Sequence, residues 1–147
     1  MTFTPTPQHV QEFLNLALKK DAKVYTKMFA ADGIFDGPKH GAIAVGPEQI
    51  EQLHAGGWSL MDFNKLELKG FQLFGENRYA GECDIILTAT IDWPQEAMPQ
   101  FPLEFQQLGV IRKGDQLKYS VLLQYEYNDA GLLTRAVCKF STAVEKI

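Results

Sequence analysis

The sequence is poor in the features that most often announce a chemistry. Its two cysteines, Cys83 and Cys138, lie far apart and in no C-x-x-C arrangement, which argues against a zinc site and leaves no disulfide framework. The three histidines are scattered, and Asp32, Asp36, His40 and His54 follow no diagnostic metal-ligand spacing. There is no phosphate loop, dinucleotide fingerprint or Ser-His-Asp order. No apolar run approaches the ~18 residues of a membrane span, and Met1-Thr-Phe-Thr-Pro-Thr-Pro has no basic segment followed by an apolar one, so no membrane partner and no secretory signal are expected. Positive charge is not in excess: a net charge of -4 gives no electrostatic reason to bind nucleic acid or an anionic membrane. Repeats, low-complexity tracts and linkers are missing. These absences point to a soluble cytoplasmic protein, its thiols reduced, with no metal or cofactor.

What is present is an ordinary apolar fraction of 46% and an aromatic surplus: ten Phe, five Tyr and two Trp. That surplus fits either an aromatic-lined cavity or a large apolar subunit interface. A chain of 147 residues reads as one domain, 1–147, able to bury roughly two-thirds of its unfolded surface without a staple.

The chain turns over at Phe29–Ile50, with helical periods upstream and strand periods downstream. Thr6-Pro7 opens a helix as N-cap and first helical residue, and Val10, Phe13, Leu14, Ala17 and Leu18 form its apolar stripe. Lys19 and Lys20 suit its carboxyl end. Asp21 caps a shorter helix carrying Val24, Tyr25, Met28 and Phe29, stopped by Asp32-Gly33. Ile34–Asp36 and Ala42–Val45 are short strands around the turn Gly37–Gly41, and Gly46-Pro47-Glu48 opens a third helix that Gly56-Gly57 closes. Leu66, Leu68, Phe71 and Leu73 suggest a strand bulged near Gly70, and after the turn at Gly75–Asn77 a long strand runs from Arg78 to Ile91. Three prolines keep Asp92–Pro102 out of a central strand. Leu103–Arg112 is expected as a strand, followed by a turn at Lys113-Gly114-Asp115. Leu117 to Tyr127 alternates without a break. Asn128–Gly131 has the chemistry of a type I turn with a left-handed Gly, which favours a final strand over Leu132–Phe140. The competing reading is a helix, because Leu133, Val137, Phe140, Val144 and Ile147 also share a helical face.

This order, with Phe29-Ala30-Ala31-Asp32 running into Asp36-Gly37-Pro38 and then Gly46-Pro47-Glu48-Gln49-Ile50, resembles the nuclear transport factor 2-like superfamily, which includes ketosteroid isomerase, scytalone dehydratase and the polyketide cyclases. The resemblance lies in spacing and hydrophobic pattern over nearly the whole chain. It implies an α+β fold: a cone-shaped antiparallel sheet of four to five long strands curled around three N-terminal helices, with an apolar cavity at the open end. Ketosteroid isomerase chemistry needs a carboxylate to shuttle a proton, and a tyrosine with a protonated aspartic acid to stabilise the enolate oxygen. Those positions fall here at Gly37 (Asp36 one residue early), at Phe13, and at Leu108 or Leu123. Isomerase chemistry by that mechanism is therefore not expected.

The resemblance turns Cys83, Ile85 and Leu87 of the long strand toward the cavity, with Glu82, Asp84 and Ile86 outside, and likewise turns Val121, Leu123 and Tyr125 inward. From the helical part it adds Phe13, Ala17, Tyr25, Phe29, Gly37, Leu53, His54 and Trp58 to the lining, and Leu108 from the expected strand. Two placements fit Trp58, in the wall or as a plug at the narrow end. Asp36 is the candidate general base, its carboxylate desolvated beside Phe35. The alternative turns it outward, to accept hydrogen bonds from the Gly37–Gly41 turn. His54 is the candidate acid or polariser, or else a cap for the last carbonyls of its helix. His40 is expected in solvent and His9 exposed. Cys83 reads as a small core hydrophobe.

Two functions follow. One is a pocket protein for a compact hydrophobic, carbonyl-bearing molecule, whose chemistry, if any, would be proton abstraction, hydration or dehydration. The other is a non-enzymatic homodimeric interaction module using the outer sheet face, with Ile86, Leu122 and the proline-rich loop as contacts.

Overall fold

A computed structural model describes residues 3–147; Met1 and Thr2, part of the stretch read above for a leader, lie outside them. Helix α1 spans Pro7–Leu18, with the Thr6 hydroxyl accepting from the His9 N–H, and buries Val10, Phe13, Leu14 and Ala17. Leu18, the last member of the stripe, stays exposed. Asp21 caps α2, Ala22–Lys27, by accepting from the Val24 N–H.

Strand β1 runs Phe29–Asp36, starting earlier than the helical pattern suggested. Asp32-Gly33 stops no helix. It forms an irregularity in β1, whose register against its neighbour slips between Phe29 and Ile34. Strand β2, Ile43–Val45, pairs antiparallel with β1, and α3 follows at Gly46–Trp58, running through both Gly56 and Gly57. Strand β3, Met61–Phe74, carries the bulge expected at Gly70, where the register shifts between Lys69 and Phe71. Strand β4 is Arg78–Ala89.

The largest departure follows β4. Leu103–Arg112 is not a strand: a 3-10 turn at Gln95–Gln100 leads into a single helical turn, α4, at Leu103–Gln106, and then irregular chain. Strand β4 already pairs with β3 on one side and with β5, Gln116–Tyr127, on the other, so β4 has no free edge for a strand inserted after it. Pro99 and Pro102 also favour tight turns over a ladder. Strand β6, Leu133–Phe140, settles the strand-or-helix choice for the strand, with Gly131 at positive φ closing the hairpin as the turn chemistry required. The two-residue β7, Glu145–Lys146, returns to pair with β5.

The sheet order is β2-β1-β6-β5-β4-β3, antiparallel except for the parallel β1–β6 pair, and it curves without closing. Helix α1 lies along the open β3 edge. There the Gln11 carboxamide substitutes for a strand, donating to the Leu66 carbonyl at 2.8 Å and accepting from the Leu68 N–H at 2.9 Å. An exposed edge is thereby covered. No helix among the described residues is long and apolar enough to cross a membrane.

Candidate functional site

The inward face of the sheet and the three helices do not meet everywhere. Between them lies a cavity of about 450 Å³. Leu14, Ala17 and Tyr25 approach it from α1 and α2, and Leu53, His54 and Trp58 from α3. Cys83, Ile85, Val121, Leu123 and Tyr125 form the sheet wall, in the phase the resemblance implied, and Gly37 lies where β1 leaves the sheet. Its mouth is marked by exposed or half-buried lining residues: Pro38 and Lys39 of the β1–β2 turn, Leu53 of α3, and Gln100 to Pro102. Trp58 is among the lining residues, as both placements require.

Four expected lining residues lie elsewhere. Phe29 and Leu87 are packed into the solid core, and Leu108 follows α4 away from the cavity, because the strand meant to carry it does not form. Phe13 backs the wall instead of facing the void. Its ring stacks on Tyr25 at 4.4 Å and meets Tyr125 edge-on at 5.6 Å. Behind it a second cavity, about 260 Å³, opens beside His9, Glu12 and Tyr127. His9 is half-buried rather than exposed, edge-on to Phe3 and Tyr127. His40 is exposed as expected.

Asp36 is not brought to the cavity. Phe35 takes the inward position on β1, so Asp36 faces the other way. There its carboxylate accepts from Lys139 Nζ at 2.7 Å and faces Arg135 Nη2 at 3.5 Å, both on β6. The turn supplies no donor; Lys139 instead also donates to the Gly37 carbonyl at 2.8 Å. A carboxylate committed to two cations outside the cavity cannot collect a proton within it. Glu82 and Asp84 are outward too, and Lys69 and Ser120 donate to Asp84, which holds its carboxyl below the usual range.

His54 does reach the cavity. Its Nδ1 lies 2.8 Å from the carbonyl of Ile50, one turn earlier on α3. Because that carbonyl can only accept, Nδ1 carries the proton and Nε2 keeps a free lone pair. The ring sits among Tyr25, Phe35 and Trp58, and this burial pushes its pKa down to about 4 despite the bond to Ile50. At neutral pH His54 is therefore uncharged. Among the described residues its Nε2 has no hydrogen-bond partner, and neither do the hydroxyls of Tyr25, Tyr119 and Tyr125, three more residues of the cavity lining. Burial raises the pKa of all three phenols, so they stay protonated and act as donors. Cys83 is almost wholly buried with its thiol pushed up to about 12 by desolvation, an inert core residue.

Sequence reasoning missed Phe35, Tyr119 and Cys138 in the lining, and Trp93, Phe101 and Phe105 from the segment after β4. Of these Tyr119 was legible, since it shares the phase of Val121 and Leu123; Phe35 was not, because the sequence left the facing of Asp36 open. The last three carried no periodic signal. Their segment is tied back by the Trp93 indole N–H donating to the Leu60 carbonyl at 3.0 Å, which aims the ring across the cavity. Among the described residues no cluster of three or more His, Cys, Asp or Glu side chains is placed to hold a metal ion.

No protein-family model and no curated protein sequence matches this chain. Among solved structures, it is similar to the epoxide hydrolase/cyclase-like enzyme SalBIII, which has a role in pyran ring formation in the polyether salinomycin. The TM-score is 0.69, with 94% of this chain and 92% of that one covered at 9% sequence identity. Likeness at that identity speaks for architecture alone. The chain has the curved, unclosed sheet and packed helices of the nuclear transport factor 2-like cone.

Proposed function

We propose that this protein binds a compact, hydrophobic, carbonyl- or hydroxyl-bearing small molecule in the cavity between α3 and the sheet. One observation carries the reading: a void of about 450 Å³, walled by hydrocarbon and aromatic rings, whose few polar lining side chains away from the mouth, His54 and three tyrosines, are neutral. That is the composition of a small-molecule site, where apolar area drives binding and sparse polar groups orient the ligand. The tyrosine hydroxyls would donate to a carbonyl oxygen, and His54 Nε2 would accept from a hydroxyl. If the site is catalytic, the proton acceptor is His54 in place of Asp36, and the reaction class remains proton abstraction beside a carbonyl, hydration or dehydration. An imidazole whose conjugate acid has a pKa of about 4 is a weak base, so binding is the better supported half.

Both tryptophans of the chain line the cavity, so intrinsic fluorescence reports its occupancy. The neutral ketone 2-acetonaphthone should quench it saturably. Tyr125→Phe should weaken that binding about fivefold, the worth of one ordinary hydrogen bond, and leave naphthalene binding unchanged. No saturable quenching by either compound rejects the pocket. For the catalytic half, deuterium exchange at the ketone's methyl group in heavy water should run faster with protein than with buffer, and His54→Gln should remove the acceleration. Equal rates would leave a binding protein only.

Association of two copies through the outer sheet face is a separate proposition. Leu122 is 49% exposed there. Around it Lys69, Asp84 and Ser120 form a polar network that such an interface would have to bury.

A further inference from the structure

The cavity is apolar within but not at its rim. Among the described lining residues Lys39 is the one lysine, and no arginine, aspartate or glutamate stands with it. Lys39 sits at the mouth on the β1–β2 turn, and no carboxylate among the described residues lies within salt-bridge distance of it. Its ammonium reaches across the opening to the Pro99 carbonyl at 3.4 Å, a long contact with a neutral acceptor. Beside it on the far rim stands Gln100, whose carboxamide makes no hydrogen bond among the described residues. Lys20, Lys65, Lys69, Lys139 and Lys146 each hold a carboxylate, whereas Lys19, Lys23, Lys27, Lys113 and Lys118 have none among the described residues; what sets Lys39 apart from these is its place in the cavity lining.

We infer that the ligand is an amphiphilic carboxylate, its apolar body in the cavity and its ionised head at the mouth between Lys39 Nζ and the Gln100 amide. The inference rests on the pocket reading above and adds the ligand's charge and direction. Burying a carboxylate among the rings would leave it without a counter-charge, so the head has to stay at the rim. A single ammonium with one neutral amide matches one negative charge, whereas a phosphate dianion would remain half paired. The incoming carboxylate replaces the Pro99 carbonyl as partner of Lys39, exchanging a neutral acceptor for a charged one. That swap also frees the 3-10 turn at Gln95–Gln100 from its tie to the opposite rim.

Tryptophan quenching with 2-naphthoate and with methyl 2-naphthoate, which has the same ring system and no charge, tests this directly. The native protein should bind the carboxylate about tenfold more tightly than the ester, as expected for a hydrogen bond to a charged partner. Lys39→Met should bring the two affinities together by weakening only the carboxylate, and Lys39→Arg should keep the preference. About 0.5 M NaCl should narrow the gap, because the rim is open to solvent. Equal affinity of the native protein for the two probes, or a preference that survives in Lys39→Met, overturns the inference while leaving the pocket standing. If neither probe binds, the pocket reading falls and this one with it. Lys39 lies in a surface turn, so its variants should fold; an unchanged melting temperature verifies that.

Discussion

At the residue scale, the spacing of Ile50 and His54 on α3 decides the state of the imidazole in the cavity lining. Four residues place the imidazole under the Ile50 carbonyl, the tautomer follows, and burial among three aromatic rings lowers the pKa to about 4. Above the ordinary histidine range His54 is neutral in the folded and unfolded chain alike and adds no pH dependence. As pH falls from about 6.5 toward 4, the unfolded chain takes up a proton that the folded one refuses, so acidification through that window favours unfolding, by on the order of 3 kcal/mol once complete. Urea midpoints measured between pH 7 and pH 4 should therefore fall less steeply in His54→Phe than in the native protein. Parallel pH profiles would contradict the assignment. Asp36 shows the opposite outcome: a chemically capable residue spent on structure, tying β1 and the Gly37 turn to β6 through Lys139.

Among the elements, β1 is the least regular and the most instructive. Its slip against β6 brings Gly33 so close that an added Cβ would lie 2.7 Å from the Leu133 carbonyl oxygen and 3.0 Å from that of Ala30. Both obstacles are backbone, held in place by the strands themselves. Gly33→Ala should thus destabilise by about 1–3 kcal/mol, read as a lower urea midpoint, because only main-chain movement can make room. A midpoint equal to the native one would show that the strand pair adapts. The segment between β4 and β5 teaches a different lesson. Trp93, Phe101 and Phe105 cover the cavity from turns rather than from a strand, and no periodicity links them. By contrast, the Asn128–Gly131 turn made β6 legible despite a helical pattern over the same residues, because a Gly at positive φ in that setting is a specific local requirement.

For the whole molecule, the two cavities and the aromatic wall between them belong together. Phe13, Tyr25 and Tyr125 separate the larger void from the smaller one beside Tyr127, each ring in contact with Phe13. Phe13 thereby sets the depth of the site. Phe13→Ala should cost about 3–5 kcal/mol of stability and open the wall from behind. Phe13→Leu is the milder test. Either variant, if it admits a pyrene-sized quencher that the native protein excludes, assigns depth control to this ring. Unchanged probe selection with lowered stability would leave Phe13 a packing residue only.

The amino-acid sequence by itself determined the helix caps at Thr6 and Asp21, the bulge at Gly70, the unbroken phase of β5 and the hairpin into β6. All of these depend on residues within a few positions of one another, where propensity and turn chemistry act. That Val121, Leu123 and Tyr125 share one face followed from the same period-2 rule, and the family resemblance turned that face inward. Only the tertiary structure decided which way Asp36 points, where Phe13 stands relative to the void, and that 103–112 forms a helical turn and irregular chain, with Phe105 against the cavity, instead of pairing. A short strand has two faces, and its period cannot say which is buried. That choice belongs to β6, whose cations claim Asp36, and to the helices, whose rings fill or leave the space between.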